Sequence, residues 1–305
     1  MFILLIAAGL LILLIALSFY FLRFALVRSR RPGMWSEPPE SAERHARFTE
    51  RAMTLHHERL RITSHDGLRL CGYFFPAERP TAKTVICIHG YRADGLHDHA
   101  VNLLWHHHRG YNVLLPDNRA HGDSEGKLIG FGWQDRLDIR GWCGLLRERG
   151  CGEILLHGVS MGSAAALCAA GGEGIEGLRG VIADCPYTSG FEQFAHVTKT
   201  MLHLPRFPLL YTTTALARLV CGWHLRDCSP IDAARTLTVP LLLIHGDSDD
   251  FVPTEMAYRL DEACREAGVD CTLLIVSGAR HAASAEVSPQ EYYGAVERFL
   301  EKVRF

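Results

Sequence analysis

The sequence predicts an α/β protein with a mostly parallel sheet, and three observations support this. Beyond about residue 58, short aliphatic and β-branched runs alternate with longer segments of helical period. Each interval between these runs is long enough for a helix that crosses from one parallel strand to the next. The chain has 305 residues, 48% of them hydrophobic, and 28 glycines. This composition fits one large globular domain or two small ones and excludes a disordered or fibrous protein.

The first element is an apolar segment at the amino terminus. Residues 2–22 carry no charge, and this length is close to the roughly 20 residues that a helix needs to cross a bilayer. A cleaved signal peptide, the alternative, would have a basic start, a shorter apolar stretch and a small-residue cleavage site. All three features are missing here. We therefore predict a retained transmembrane anchor over residues 1–27. Four arginines follow within residues 23–31, so the positive-inside rule predicts that the rest of the chain is cytoplasmic, at the cell membrane.

The next segment, residues 28–57, is polar and contains three prolines, as a tether between a membrane and a domain does. We predict a polar linker here and the α/β domain over residues 58–305. The opening strands and the candidate site residues all lie in that domain. We therefore expect that removal of the residues up to about Arg31 leaves a soluble domain with its chemistry intact.

The domain is predicted to open with an antiparallel hairpin, because the turn HDG separates the strand-like runs RLRITS and LRLCGYFF. Six further runs have the character of buried parallel strands: TVICIH, NVLLPD, EILLHG, GVIADC, PLLLIHG and CTLLIV. Between GVIADC and PLLLIHG, the chain has apolar residues at helical spacing but no clear strand. We predict an inserted helical lid over residues 186–229.

The charge and the cysteines restrict the possible partners. Lys and Arg number 32 against 34 Asp and Glu, so the chain has no excess positive charge for binding nucleic acid. Ten scattered cysteines without metal-ligand spacing favour reduced, buried thiols in a reducing compartment. The histidines at 106–108 are expected to face solvent. A metal site is not expected there, since no carboxylate or cysteine is spaced to complete it. We predict neither a metal nor an organic cofactor.

Two segments match the pattern Gly-x-Ser-x-Gly, which predicts a nucleophile only where a strand enters and a helix leaves. GVSMG follows EILLH directly and runs into SAAALCAA, so Ser160 is predicted on a tight strand-to-helix turn. GDSEG, with Ser124, has no strand-like run directly before it and no helix-forming run directly after it. The alternative reading of Ser160 is a serine that only caps the helix. The start of that helix would provide free N–H groups where an oxyanion forms, and we predict Ser160 as the nucleophile.

A serine nucleophile needs a histidine base and a carboxylate that orients it. His281 follows CTLLIV, the last strand-like run, on a loop that can reach the sheet edge. The preceding strand ends in HGDSDDFVP, which offers Asp247, Asp249 and Asp250. The residues alone leave the choice among these three open.

Together these segments resemble the α/β-hydrolase superfamily, in particular its membrane-anchored serine hydrolases and its serine-aminopeptidase-like branch. IHGYRADG resembles the oxyanion loop, PDNRAHGDSEG the loop after the fourth strand, GVSMG the nucleophile turn and IHGDSDDFVP the acid loop. The resemblance implies the α/β-hydrolase fold, a structural role for Ser124 and Asp249 as the acid. It further implies that the backbone N–H groups of Tyr91 and Met161 form the oxyanion hole. The order Ser, Asp, His is also that of this superfamily.

The resemblance and the residues together predict a single-pass membrane serine hydrolase that cleaves carboxylic esters or thioesters through an acyl-enzyme. A lid rich in Phe and Leu favours an acyl or lipid-like substrate, although the same spacing also fits lid packing. Two alternatives remain open. One is a serine peptidase acting on amides, and the other is a non-catalytic membrane-bound binding module on the same fold.

Overall fold

The computed structural model describes residues 1–28 and 39–305, with the backbone alone for Pro39 and Glu40. Within these residues the strands are β1 (Glu58–Thr63), β2 (Arg69–Phe75), β3 (Lys83–Ile88), β4 (Asn112–Pro116), β5 (Glu153–Val159), β6 (Leu178–Asp184), β7 (Leu241–Gly246) and β8 (Cys271–Val276). The helices are α1 (Phe2–Leu26), α2 (Pro39–Met53), α3 (Gly95–His108), α4 (Asp135–Glu148), α5 (Met161–Ala170), α6 (Gly190–Thr200), α7 (Leu209–Cys221), α8 (Pro230–Arg235), α9 (Glu255–Glu266), α10 (Ser284–Val287) and α11 (Pro289–Lys302).

The strands form one sheet in the order β1-β2-β4-β3-β5-β6-β7-β8. β1 pairs antiparallel with β2, β2 pairs antiparallel with β4, and the remaining neighbours are parallel. Alternate residues of β3 enter two separate cores: Ile86 and Ile88 pack on one face, and Val85 and Cys87 on the other. Both faces are therefore covered, as a parallel sheet requires. The predicted α/β-hydrolase fold, with an opening hairpin and six parallel strands, is confirmed.

The topology determines where a site can form. The carboxyl ends of parallel strands meet at one edge of a sheet, where the loops after β5, β7 and β8 come together. Between β6 and β7 the chain forms α6 and α7, within the segment predicted as a lid. Ser189 caps α6, since its hydroxyl accepts the Glu192 N–H, and α7 ends at Gly222 in the left-handed conformation.

The region predicted as a polar linker needs a correction. Within residues 28–57 the chain forms α2, which packs against α3, with Ala52 fully buried and Phe48 partly buried. Apolar residues on one face of an otherwise charged segment explain this packing. The linker was predicted from the polarity and the prolines of this segment, without regard to its apolar face. Residues 29–38, with Arg30 and Arg31, lie outside the described part of the chain.

The amino-terminal helix α1 is not independent of the domain. Its last turns pack against the domain, where Ser18, Leu22 and Leu26 are buried, and the helix contacts α7. After the helix, Val27 forms a β-bridge with Leu128. Removal of the residues up to Arg31 would expose apolar side chains that pack on this end of α1. The separable anchor stays a prediction, and these contacts argue against it.

Candidate active site

Ser160 lies on a sharp turn between β5 and α5. Its backbone has φ 54° and ψ −117°, a strained conformation for a residue with a side chain. The flanking glycines make the turn possible. A Cβ at Gly158 would lie 2.5 Å from the Gly162 backbone, and a Cβ at Gly162 would lie 2.0 Å from the Ile88 carbonyl oxygen. The start of α5 therefore packs directly on the sheet, and Ser160 lies at the edge where the strands end.

Three side chains from three loops form a continuous chain of hydrogen bonds. His281 Nε2 lies 2.9 Å from Ser160 Oγ, and His281 Nδ1 lies 2.7 Å from Asp249 Oδ2. The Asp249 side chain has no exposed surface, whereas 18% of the His281 side chain is exposed. A proton on Nδ1 is donated to the carboxylate, which leaves Nε2 free to accept the serine proton. The arrangement has the geometry of a nucleophile, a base and an orienting acid.

The surroundings of Asp249 keep it ionised. Its Oδ1 accepts the N–H groups of Phe251 at 3.0 Å and Val252 at 2.8 Å. Burial alone would raise the pKa of Asp249. Hydrogen bonds from His245 and His281 outweigh this effect and hold the pKa well below its ordinary value. A carboxylate that remains charged can hold the histidine tautomer and stabilise an imidazolium.

The neighbouring carboxylates have other contacts. Asp247 accepts a backbone N–H from the loop after β8 at 2.7 Å. Asp250 is exposed and lies 3.4 Å from the Arg280 guanidinium. Of the three aspartates that the residues alone left open, Asp249 is the one that the described structure brings to His281.

His245 is a residue of this site that the sequence analysis did not single out. It is fully buried near the end of β7, with Nε2 2.8 Å from the Val252 carbonyl oxygen and 3.2 Å from Asp249 Oδ2. It therefore joins the strand to the acid loop and helps to fix the carboxylate. The available signal was the histidine that begins the HGDSD segment at the end of this strand.

The two residues expected to form the oxyanion hole come from two segments near Ser160. Met161 is the first residue of α5, and Tyr91 follows Gly90 in the loop after β3. In the described part of the chain, neither backbone N–H donates to an acceptor. A Cβ at Gly90 would come within 3.4 Å of the Ser160 Cβ, so this loop lies close to the serine. Both N–H groups are therefore available to a substrate oxygen.

The second Gly-x-Ser-x-Gly segment is part of the framework. The Ser124 hydroxyl is buried, donates to the Asp117 carbonyl at 2.6 Å and accepts the Cys71 N–H at 2.9 Å. His89, in the loop before Tyr91, is equally constrained, because its Nε2 accepts the Asn118 N–H at 2.9 Å. Burial lowers the pKa of His89 to about 4. We regard both side chains as structural.

An apolar pocket leads from Ser160 to the lid and to α1. The lid contributes residues from α6, α7 and the segment between them, and α1 contributes its last two turns. The described side chains that line the pocket are uncharged and mostly apolar, among them Phe21, Phe24, Tyr187, Phe194, Leu202 and Leu210. Such a lining suits a hydrocarbon chain or another apolar group.

The histidines at 106–108 require a correction, because two of them do not face solvent. His106 is fully buried, with Nε2 3.1 Å from His157 Nδ1, and His107 Nε2 lies 2.9 Å from the Pro76 carbonyl oxygen. Only His108 is exposed. The helix α3 packs this side against β3 and β4, which the expectation of solvent-facing histidines missed.

One group of possible metal ligands lies in the core, among the described residues. Ligand atoms of Cys87, His106 and His157 lie within 4.8 Å of one another. Burial raises the pKa of the Cys87 thiol and lowers the pKa of His106 to about 3. Both His157 nitrogens already have partners, since Nε2 lies 2.9 Å from the Tyr292 hydroxyl. A protonated thiol, and an imidazole whose nitrogens both have hydrogen-bond partners, are poor metal ligands. We therefore regard these three residues as part of the packed core.

Comparisons with known proteins show the family of the chain. A profile of the Alpha/beta hydrolase family matches residues 85–295. The chain belongs to the alpha/beta hydrolase family. This α/β hydrolase is 32% identical over 248 residues to the uncharacterised protein YqkD of Bacillus subtilis, covering 79% of this chain and 78% of YqkD.

Solved structures share the fold of this α/β hydrolase. The Pyrococcus furiosus esterase Pf2001 superposes with a TM-score of 0.68 at 23% identity, covering 91% of this chain and 98% of the esterase. The Pyrococcus horikoshii acylaminoacyl peptidase superposes with a TM-score of 0.63 at 19% identity, covering 82% of this chain and 42% of the peptidase. At these identities the likeness concerns the fold alone.

Proposed function

We propose that this α/β hydrolase is a membrane-anchored serine hydrolase that cleaves carboxylic esters or thioesters of acyl or lipid-like compounds. The observation that carries the proposal is the hydrogen-bonded chain of Ser160, His281 and Asp249 at an uncharged apolar pocket. A scaffold without catalysis needs neither the strained serine turn nor this chain, which argues against a binding module.

The reaction follows from the positions of the side chains. His281 Nε2 takes the Ser160 hydroxyl proton as Oγ attacks the substrate carbonyl carbon, while Asp249 stabilises the imidazolium. The backbone N–H groups of Tyr91 and Met161 donate to the oxyanion. His281 then gives the proton to the departing alcohol or thiol, which leaves an acyl-enzyme. A water molecule attacks the acyl-enzyme by the same route and releases the acid.

The proposed anchor is α1. It is the helix, among the described residues, that is long and apolar enough to span a membrane, although a signal sequence has the same properties. The arginines after the apolar run favour a cytoplasmic domain at the cell membrane. Free thiols at all ten cysteines of the described structure suit a reducing compartment.

The orientation is tested with a protease added to intact and to opened cells. We expect the full-length domain to be protected until the membrane is breached, because a cytoplasmic domain is inaccessible from outside. Digestion on intact cells would show export. A mature protein that begins after α1 would identify this helix as a cleaved signal.

A serine peptidase is the second candidate, favoured by the shared fold of the acylaminoacyl peptidase. The pocket supports an ester substrate better. Its described lining has no carboxylate that could pair with a free α-amino group, and its apolar surface offers little hydrogen bonding to a peptide backbone.

Competition for a fluorophosphonate probe tests the proposed reaction on the full chain. The competitors are p-nitrophenyl octanoate, its matched amide N-(4-nitrophenyl)octanamide, and N-acetyl-alanyl p-nitroanilide. We expect the octanoate ester to suppress labelling at the lowest concentration, because the pocket is apolar and an ester has the better leaving group. Preferential suppression by the acetyl-alanyl compound would instead indicate a peptidase. A chain that the probe does not label is not a serine hydrolase.

A further inference from the structure

The proposed membrane helix also forms part of the substrate pocket. Phe21, Phe24 and Ala25 of α1 line the pocket together with residues of the lid. The Tyr91 hydroxyl donates to the Ala25 carbonyl at 2.7 Å, and the Arg92 guanidinium donates to the Phe24 carbonyl. These bonds attach the end of α1 to the loop that also carries the proposed oxyanion donor. The anchor is therefore continuous with the site.

The length of α1 fixes where the bilayer can lie. Its 25 residues span ~37 Å, and crossing the hydrocarbon core takes roughly 20 residues. A span that begins at Phe2 reaches Phe21, which already lines the pocket. Burial against the domain begins earlier, at Ser18, whose hydroxyl lies 2.5 Å from the Thr212 hydroxyl of α7. If α1 crosses the bilayer, the lid helix α7 must therefore lie at the membrane surface.

The outer surface of the lid has the composition of a membrane-facing surface. Leu219 is 81% exposed and Phe207 is 73% exposed, and Tyr211 and Val220 are each about half exposed. Exposed Arg206 and Arg218 lie among them. Large apolar side chains interspersed with basic ones are typical of segments that insert shallowly into a lipid surface. This lid surface is continuous with α1, which packs on α7.

From these observations we propose that the pocket takes the acyl chain of a lipid ester directly from the bilayer. This inference rests on the proposed function. The chain passes between the end of α1 and the lid, and its carbonyl carbon reaches Ser160 while the head group remains at the membrane surface. Ser160 Oγ bonds to that carbon and the ester bond breaks. The proton passes through His281 to the departing head-group alcohol, and water then releases the fatty acid.

The test uses the full chain in phosphatidylcholine vesicles and two substrates with the same leaving group. These are p-nitrophenyl palmitate embedded in the vesicles and p-nitrophenyl acetate in the water. The measured quantity is the ratio of palmitate to acetate turnover. In Ala25→Trp we expect this ratio to fall at least about tenfold, because an indole would occupy the path of the long chain. The control is Ala16→Trp, on the exposed part of the same helix, where the ratio should stay unchanged.

A second variant tests the lid surface without altering the pocket. Leu219→Glu should lower the same ratio, because a charge opposes insertion into the membrane. Its control is Val287→Glu, since Val287 is an exposed aliphatic residue on α10, which packs on α11.

The outcomes separate the two proposals. An unchanged ratio in both Ala25→Trp and Leu219→Glu overturns the inference of entry from the bilayer. Wild-type protein that cleaves acetate but not vesicle-borne palmitate also overturns it and leaves the proposed hydrolase function standing. Wild-type protein that cleaves neither ester and resists fluorophosphonate labelling contradicts the proposed function itself.

Discussion

Replacement of Ser160 by Ala is expected to lower kcat for p-nitrophenyl esters by about 10⁶-fold, the loss typical of a hydrolase without its nucleophile. The reason is chemical, since the Ser160 hydroxyl that lies 2.9 Å from His281 Nε2 is the atom that would form the acyl bond. The fold should persist, because the change removes one oxygen from a residue at the pocket surface. Turnover and thermal unfolding of the variant and the wild type are compared.

Ser124→Ala is the matched control, because Ser124 is the serine of the other Gly-x-Ser-x-Gly segment. It should reduce stability by roughly 1 kcal/mol through loss of its hydrogen bonds to Asp117 and Cys71. Its turnover should remain near that of the wild type. A large loss of turnover in Ser124→Ala with an active Ser160→Ala enzyme would reverse the assignment of the nucleophile.

Asp249→Asn is expected to lower kcat by about 10⁴-fold, the effect of removing the charge that fixes the histidine tautomer. An amide can donate to His281 Nδ1 and so favour the wrong tautomer, with the proton on Nε2. The Asn and Asp side chains have nearly the same size, so packing around the buried position is preserved. Steady-state kinetics measure kcat.

The neighbouring aspartates provide the controls for this prediction. Asp250→Asn removes only an exposed contact with Arg280, and Asp247→Asn weakens a turn contact in the loop after β8. Both should reduce kcat far less than Asp249→Asn. A loss at either position equal to that at Asp249 would move the acid along this loop.

The sequence was sufficient for the sheet because local and long-range signals agree there. The aliphatic runs are short and flanked by turn residues, so strands such as β5 and β7 could be placed before any contact was known. The parallel order then brings Ser160 and His281 to one edge of the sheet. The choice of Asp249 needed the family resemblance, because its neighbours Asp247 and Asp250 have the same chemistry and differ only in direction.

Contacts between segments far apart in the sequence could not be predicted in this way. The apolar run of α1 reads as a membrane span, and nothing in its composition indicates that Phe21 and Phe24 also line a pocket. The burial of His106 depends on a partner 51 residues away, His157. His245 likewise gains its role only when the acid loop folds back over β7. Each is a tertiary contact that hydrophobic periodicity does not encode.

The most direct test of the account is to locate the adduct that a fluorophosphonate forms on the full-length chain. The labelled protein is digested and the modified peptide is sequenced by mass spectrometry. We predict one covalent phosphonate, on Ser160, and its absence in the Ser160→Ala variant. A phosphonate on Ser124 or on any other residue, or an active enzyme that carries no adduct, would contradict the assignment of Ser160 as the nucleophile.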